Sequence, residues 1–224
     1  MRRYDLVCFD VDGTLVTHPR EKTVWQILNE KFLGSDHLNE VRLKAYRRGE
    51  ISYPEWVALD VGDWIGVGAT RAAILEGIGG LTLVGGARET LDALKDAGCR
   101  LAVISGTIDV CLDTLFPDHP FDEVYTNRIL FHPDGTIAGW EATPFDMDGK
   151  ARALLQISER EGIALERCAF VGDHTNDIAA AREAGLAIGF NPKSPEFEAV
   201  CSVIRRGGDL RVILPDLLDS APGA

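Results

Sequence analysis

Basic residues are scarce: 23 Lys and Arg stand against 35 Asp and Glu, a formal net charge of −12. A sequence-independent hold on nucleic acid or on an anionic membrane surface needs basic patches, so neither partner is expected. An acidic chain that handles phosphates must gather a few cations locally, from a Lys, from backbone amides or from a bound metal. Cysteine pairs are missing as well. Cys8, Cys99, Cys111, Cys168 and Cys201 are odd in number, far apart and without a C-x-x-C. That pattern argues against a disulfide framework or a zinc site and for small buried apolar residues. Long apolar runs are absent. Stretches such as Leu101-Ala102-Val103-Ile104 fall far short of the ~20 residues of a membrane span. The opening Met1-Arg2-Arg3-Tyr4-Asp5 reaches an acid before any apolar stretch long enough for a signal peptide, so a cytosolic protein is expected. Internal repeats and low-complexity segments are also absent.

What remains is an ordinary globular composition, 46% hydrophobic and 26% charged over 224 residues. A chain of this length buries roughly 70–75% of its unfolded surface and needs no metal or disulfide staple. Three short apolar runs stop abruptly in polar, Gly-containing turns. Leu6–Phe9 ends in Asp10-Val11-Asp12-Gly13-Thr14, Leu101–Ile104 in Ser105-Gly106-Thr107, and Cys168–Val171 in Gly172-Asp173-His174-Thr175-Asn176-Asp177. Each reads as a strand buried on both faces. Helical patterns follow at Arg88–Ala97, Lys150–Glu161 and Asp177–Ala184. This alternation predicts an α/β, doubly wound, mostly parallel sheet. Ligands of such sheets bind beyond the carboxyl ends of the strands, where all three polar clusters fall.

Residues 17–82 break the rhythm with helical patterns at Thr23–Phe32, Leu38–Arg48, Pro54–Ile65 and Thr70–Glu76 and no convincing strand. The expected organisation is a core of residues 1–16 and 83–224 with a helical cap, 17–82, inserted between. Glycines from Gly62 to Gly86 supply turns where the chain re-enters the core. Asn127–Phe131 and Thr136–Trp140 flank Pro133-Asp134-Gly135 as a β-hairpin, and Arg205–Leu218 reads as a last loop and helix.

Asp10 and Asp12, one residue apart at a strand end, project to the same side. One can attack as a nucleophile while the other shuttles a proton, with the amides of Gly13 and Thr14 open to an anion. A turn held by Asx hydrogen bonds is the plainer reading. More carboxylates at Asp173 and Asp177 would repel one another unless a cation sits among them, which points to oxygen ligation of Mg²⁺; helix capping explains one acid but not the group. Ser105 either caps a helix or offers its hydroxyl to a phosphate oxygen. Lys150 opens a helix, where the dipole disfavours a cation, so it is either solvated or drawn inward by an anion. Gly77-x-Gly79-Gly80 lacks the third glycine and preceding strand of a dinucleotide fingerprint. His174 reads as an exposed loop residue, and Trp25, Trp56 and Trp64 as helix-packing residues more than ligands.

Together, Asp10-x-Asp12-Gly-Thr-Leu, Ser105, Lys150 and Gly172-Asp173-x-x-Asn176-Asp177 resemble, in order and over essentially the whole chain, the four motifs of haloacid dehalogenase-like hydrolases. The likeness is strongest to the phosphoserine-phosphatase-like branch, which also carries a helical cap after the first motif. The resemblance implies a phosphatase for a small-molecule phosphate ester, with Asp10 forming an aspartyl-phosphate and Asp12 protonating the leaving oxygen before activating water. It implies Mg²⁺ held by Asp10, Asp173 and the Asp12 backbone carbonyl, with Asp177 orienting the metal shell. Ser105, Lys150 and Asn176 would hold the phosphoryl group, helped by amides of Val11, Asp12 and Gly106. True dehalogenases of the superfamily lack the second acid, so Asp12 favours phosphatase. Phosphoserine phosphatase proper, or a phosphotransferase or mutase using the same intermediate, is the alternative, and a non-enzymatic phosphate-binding module the weakest reading. The oligomeric state is left open.

One departure bears on substrate. The cap Arg with which phosphoserine phosphatases grip the substrate carboxylate aligns near Asp60, and no Arg or Lys occurs from Gly49 through Thr70. Glu21 lies near the family's amine-binding Glu. An acid in place of a bidentate Arg repels a carboxylate, so L-phosphoserine is expected to be a poor substrate and sugar, polyol or amino-alcohol phosphates better ones. Asp60 and Asp63 would accept hydrogen bonds from such groups, with Tyr53, Trp56 or Trp64 stacking on them. The plainer reading leaves Asp60 solvated and gives the carboxylate to Arg71 or another distant residue.

Overall fold

A computed structural model describes residues 2–219; Met1 and residues 220–224, the ends of the expected core, lie outside the described residues. The first strand, β1 (Leu6–Phe9), is followed by β2 (Val16–Thr17) and four helices: α1 (Val24–Leu33), α2 (His37–Arg47), α3 (Tyr53–Gly66) and α4 (Arg71–Gly77). These begin within one residue of their sequence patterns because local caps fix them. Thr23 and Ser52 form capping boxes with Gln26 and Glu55, Thr70 caps α4, and Gly34 ends α1 in the left-handed region. The chain returns through β3 (Thr82–Leu83), which pairs antiparallel with β2, a two-residue ribbon that the sequence pattern did not predict.

Thereafter strands and helices alternate: α5 (Ala87–Asp96), β4 (Arg100–Ile108), α6 (Asp109–Leu115), β5 (Glu123–Phe131), β6 (Ile137–Glu141), α7 (Gly149–Glu161), β7 (Cys168–Gly172), α8 (Ile178–Glu183), β8 (Leu186–Phe190), α9 (Pro195–Glu198), β9 (Val203–Arg205) and α10 (Leu214–Leu217). The seven-stranded sheet has the order β6-β5-β4-β1-β7-β8-β9, parallel except for the β5–β6 pair. It is doubly wound. Val7, Phe9, Leu101 and Val103 face a cluster completed by Leu91 of α5 and Ile213, while Leu6, Cys8, Ala102 and Ile104 face Leu154 and Ile157 of α7 and Ala180 of α8. Alternating strand residues thus enter opposite layers, so every position of the central β1 is apolar.

Two differences from the sequence patterns concern the site. Strand β4 runs on through Ser105, Gly106 and Thr107 instead of ending at Ile104, with a register shift against β5 between Ile104 and Ile108. Ser105 therefore lies in an irregular strand and caps no helix. Strands β8 and β9 were not foreseen, and β8 delivers Lys193 to the site from its exit loop.

Candidate active site

β1 lies between β4 and β7, with Phe9 level with Val103 on one side and Val171 on the other. That register puts Asp10, Ser105 and Asp173 at one edge of the sheet. The Asp10 amide donates to Val171 O at 3.0 Å, and the amides of Thr14, Leu15 and Val16 all return to Val11 O. The tight loop forces Gly13 to φ 94°, and a Cβ there would fall inside the Asp173 carboxylate. Only glycine satisfies both conditions.

Lys150 is fully buried; its Nζ donates to Asp10 Oδ1 at 2.6 Å and to Asp177 Oδ1 at 2.7 Å. The anions that draw it inward are these two carboxylates. Burial opposes its charge, but Asp10 and Asp177 more than offset that and hold the ammonium protonated. Its ammonium thus stands directly behind the Asp10 carboxylate, between it and Asp177. Asp177 accepts on Oδ2 from the amides of Asp173 at 2.9 Å and His174 at 3.1 Å. With both oxygens engaged, it fixes the loop after β7.

Asp173 differs. Lys193 Nζ stands 2.8 Å from Asp173 Oδ2 but off the hydrogen-bonding direction, so both oxygens of this buried carboxylate lack a hydrogen bond. Asp10, Asp173 and Asp177 each bring an oxygen within 4.8 Å of the others. A buried all-oxygen set with an unsatisfied carboxylate fits a hard divalent cation such as Mg²⁺. Burial and the Asp10 charge push the Asp173 carboxyl up, and burial raises Asp177 against the pull of Lys150.

Burial, then the neighbouring Asp10 charge, lifts the Asp12 carboxyl to about 7. Its Oδ1 accepts from the Val24 amide, the first of α1, at 3.2 Å. Ser105 is buried and its Oγ accepts from the Thr107 amide at 3.2 Å. Asn176 Nδ2 donates to Asp146 Oδ1 at 3.4 Å.

Asp10, Asp12, Ser105, Gly106, Asp173 and Asn176 line one cleft of about 360 Å³, as do Glu21 and Trp56. Two roomier hollows beside α2 and α3 contain none of Asp10, Asp12, Asp173 or Asp177. Asp60 is not in the cleft. It is 1% exposed, accepts from Asn29 Nδ2 at 3.0 Å and pairs with Arg42, which also takes Asp63. Asp60 is buried against Arg42 and Asn29, and the half-exposed Asp63 gives one oxygen to the same guanidinium. Tyr53 is likewise withdrawn: its hydroxyl accepts from Asn127 Nδ2 at 2.7 Å, and its ring packs edge-on against Tyr46 and Trp56. Trp64 is wholly buried, and Arg71 opens α4 away from the cleft. His174 borders the cleft and is exposed, as expected of a loop residue.

Arg47, Lys193, Asp146 and Trp25 also line the cleft. Arg47 lies just before the Gly49–Thr70 window in which a cation was sought, so a wider window would have found it. Lys193 carries no local signal, because β8 itself was not recognised.

The haloacid dehalogenase-like hydrolase family model matches residues 4–185. Phosphoserine phosphatase SerB2 of Mycobacterium tuberculosis is 32% identical over 190 residues, covering 84% of this chain and 44% of its own length. The phosphoserine phosphatase of Archaeoglobus fulgidus is 31% identical over 193 residues, covering 86% and 54%. The chain thus spans about half the length of these curated relatives, whereas that of Methanocaldococcus jannaschii, 28% identical, is matched over 97% of its length. A solved phosphoserine phosphatase described as a phospho-aspartyl intermediate analogue superposes with TM-score 0.75 at 27% identity, covering 97% of this chain and 100% of that one. Shared sequence, sheet order and strand-end carboxylates agree: the chain belongs to the haloacid dehalogenase-like hydrolase family, on its phosphoserine-phosphatase-like branch.

Proposed function

We propose that this protein is a Mg²⁺-dependent phosphatase that cleaves a small phosphomonoester through a phosphoryl group carried on Asp10. The observation that carries the reading is the convergence of Asp10, Asp12, Ser105 and Asp173 from three adjacent strand ends into one cleft. An Asp10 oxygen attacks phosphorus as the ester P–O bond breaks, and Asp12 gives its proton to the leaving oxygen. Asp12 then takes a proton from water, whose oxygen attacks phosphorus and releases Asp10. A carboxyl lifted to about 7 suits both directions of transfer near neutral pH. Lys150 holds and aims Asp10 through its hydrogen bond, while Ser105 and the Gly106 amide meet the phosphoryl oxygens. Asp10 and Asp173, with the Asp12 carbonyl, would hold Mg²⁺, which supplies positive charge against the phosphoryl oxygens.

The substrate follows from what else faces that cleft. Among the described residues, neither Arg47 nor Glu21 has an ion-pair partner, so the cleft offers a free cation and a free anion beyond the phosphoryl site. The acid at position 60 that would repel a carboxylate is spent on Arg42 and Asn29, and Arg47 brings to the cleft the cation that residues 49–70 lack. A phosphorylated amino acid, with carboxylate toward Arg47 and ammonium toward Glu21, is therefore the leading substrate class. The rings of Trp25 and Trp56 in the cleft favour a sugar or polyol phosphate as the second reading.

Released phosphate measured over a panel of esters tests both levels. Asp10→Asn should abolish turnover on every ester, since an amide cannot carry the phosphoryl group; normal turnover would refute the mechanism. Arg47→Met should lower kcat/KM for L-phosphoserine about tenfold or more, the worth of a charged hydrogen bond, while sparing an ester without a carboxylate. A sugar phosphate ranking first, with Arg47→Met neutral, overturns the amino-acid reading.

A further inference from the structure

The inserted helices touch the catalytic loops through two consecutive residues. The Val24 amide donates to Asp12 Oδ1 at 3.2 Å, and the next side chain, Trp25, donates its indole N–H to the Gly106 carbonyl at 2.7 Å across 81 positions of sequence. The same carbonyl accepts from Asn127 Nδ2, also at 2.7 Å. Two donors on one oxygen fix the plane of the Gly106–Thr107 peptide. The other end of that plane is the Thr107 N–H, which donates to Ser105 Oγ at 3.2 Å. A serine oxygen that accepts from one side must turn its own proton elsewhere, and Ser105 borders the cleft.

We propose that Trp25 is a positioning residue: with Asn127 it fixes the Gly106–Thr107 peptide and through it aims the Ser105 hydroxyl at the phosphoryl group. The indole is itself held. It stacks on Trp64 with ring centroids 5.2 Å apart and planes 26° off parallel. Trp64 Nε1 donates to Asn29 Oδ1 at 2.7 Å, and Asn29 Nδ2 donates to Asp60, the partner of Arg42. Every polar member of this buried chain has a partner, so it behaves as a rigid mount. Asp60, which touches no substrate, thereby reaches the phosphoryl site through three side chains. Irregular β4 needs such a mount, because its ladder with β5 is interrupted between Ile104 and Ile108, where Ser105 and Gly106 lie.

The catalytic half of this role rests on the phosphatase reading, whereas the effect on phosphate affinity does not. Trp25→Phe keeps a ring against Trp64 and in the cleft wall and removes the N–H. With Mg²⁺ present, it should lower kcat on p-nitrophenyl phosphate and weaken inorganic phosphate, each about tenfold, the worth of one well-placed hydrogen bond. If Trp25 acts through Ser105, the same change in a Ser105→Ala background should cost less than about twofold. A purely structural role would lower the melting temperature and leave kcat and phosphate affinity alone, and that result overturns the proposal, as does a tenfold loss in both backgrounds. Should Trp25→Phe fail to fold, benzothienylalanine at position 25 keeps the bicyclic ring, lacks the donor, and must give the same losses. A chain that binds phosphate but hydrolyses no ester sinks the phosphatase reading alone, for Trp25→Phe must still weaken phosphate.

Discussion

Asp12 sits where opposing influences compete. Burial and Asp10 favour its protonated form, while the Val24 amide favours the carboxylate. The balance near 7 gives a test that separates its two tasks. Alkyl esters leave as strongly basic alkoxides and need the proton of Asp12, whereas p-nitrophenolate leaves without help. Raising pH removes that proton, so kcat/KM for an alkyl phosphate should fall above an inflection no higher than about 7, because Mg²⁺ adds positive charge that lowers it. The aryl ester should stay level, and superimposable pH profiles for the two would remove Asp12 as the acid. Asp10, Asp12, Asp173 and Asp177 were legible in the sequence because each belongs to a short polar run that ends a strand. Arg47 and Lys193 were not, for what they face is settled by packing between distant segments. The same holds for Asp60: its sequence position suggested an acid facing the substrate or solvated on the surface, and only the fold brings Arg42 to it.

Element boundaries show where local chemistry decides and where it does not. Helices α1, α3 and α4 carry local signals at Thr23, Gly34, Ser52 and Thr70, whose side chains or backbone end a helix whatever lies around it, while α2 starts without a side-chain cap. The β2–β3 ribbon and the extension of β4 have no such signature, since pairing between residues far apart creates them. Inside the inserted helices, Arg42 and Asp60 join α2 to α3. Burial holds the Asp60 carboxyl above its ordinary range, with Asn29 and Arg42 pulling it down. A carboxyl raised by the fold binds its proton more tightly when folded, so its contribution to stability falls as pH rises. Arg42→Met leaves that charge buried and unpaired and should cost about 3–5 kcal/mol at pH 8. Part of the loss should return on acidification toward pH 5, where Asp60 takes up a proton. Adding Asp60→Asn should recover stability at pH 8 and flatten the pH dependence. Urea melts at the two pH values measure both, and an Arg42→Met loss equal at pH 5 and 8 would mean that Asp60 is not the group left unpaired.

At the scale of the molecule, an acidic protein of net charge −12 concentrates Asp10, Asp12, Asp173 and Asp177 at one edge of its sheet and, among the described residues, pairs Asp10, Asp173 and Asp177 with Lys150 or Lys193. No helix among the described residues is long and apolar enough to cross a membrane. The repulsion left over at that edge appears as raised carboxyls at Asp173 and Asp177, each with burial as its first cause. A cation entering there must displace the proton that the raised Asp173 carboxyl favours and the ammonium of Lys193 resting against it. Mg²⁺ binding should therefore release protons and tighten as pH rises from 6 to 8. Titration calorimetry in two buffers of different ionisation enthalpy reads the proton count directly. The metal should also raise the melting temperature with the logarithm of its concentration, since it binds the folded chain alone. Asp173→Asn removes the carboxylate that lacks a hydrogen bond, so it should abolish the released proton and the thermal shift together. A Mg²⁺ affinity independent of pH, or a thermal shift that survives Asp173→Asn, would place the cation somewhere other than among Asp10, Asp173 and Asp177.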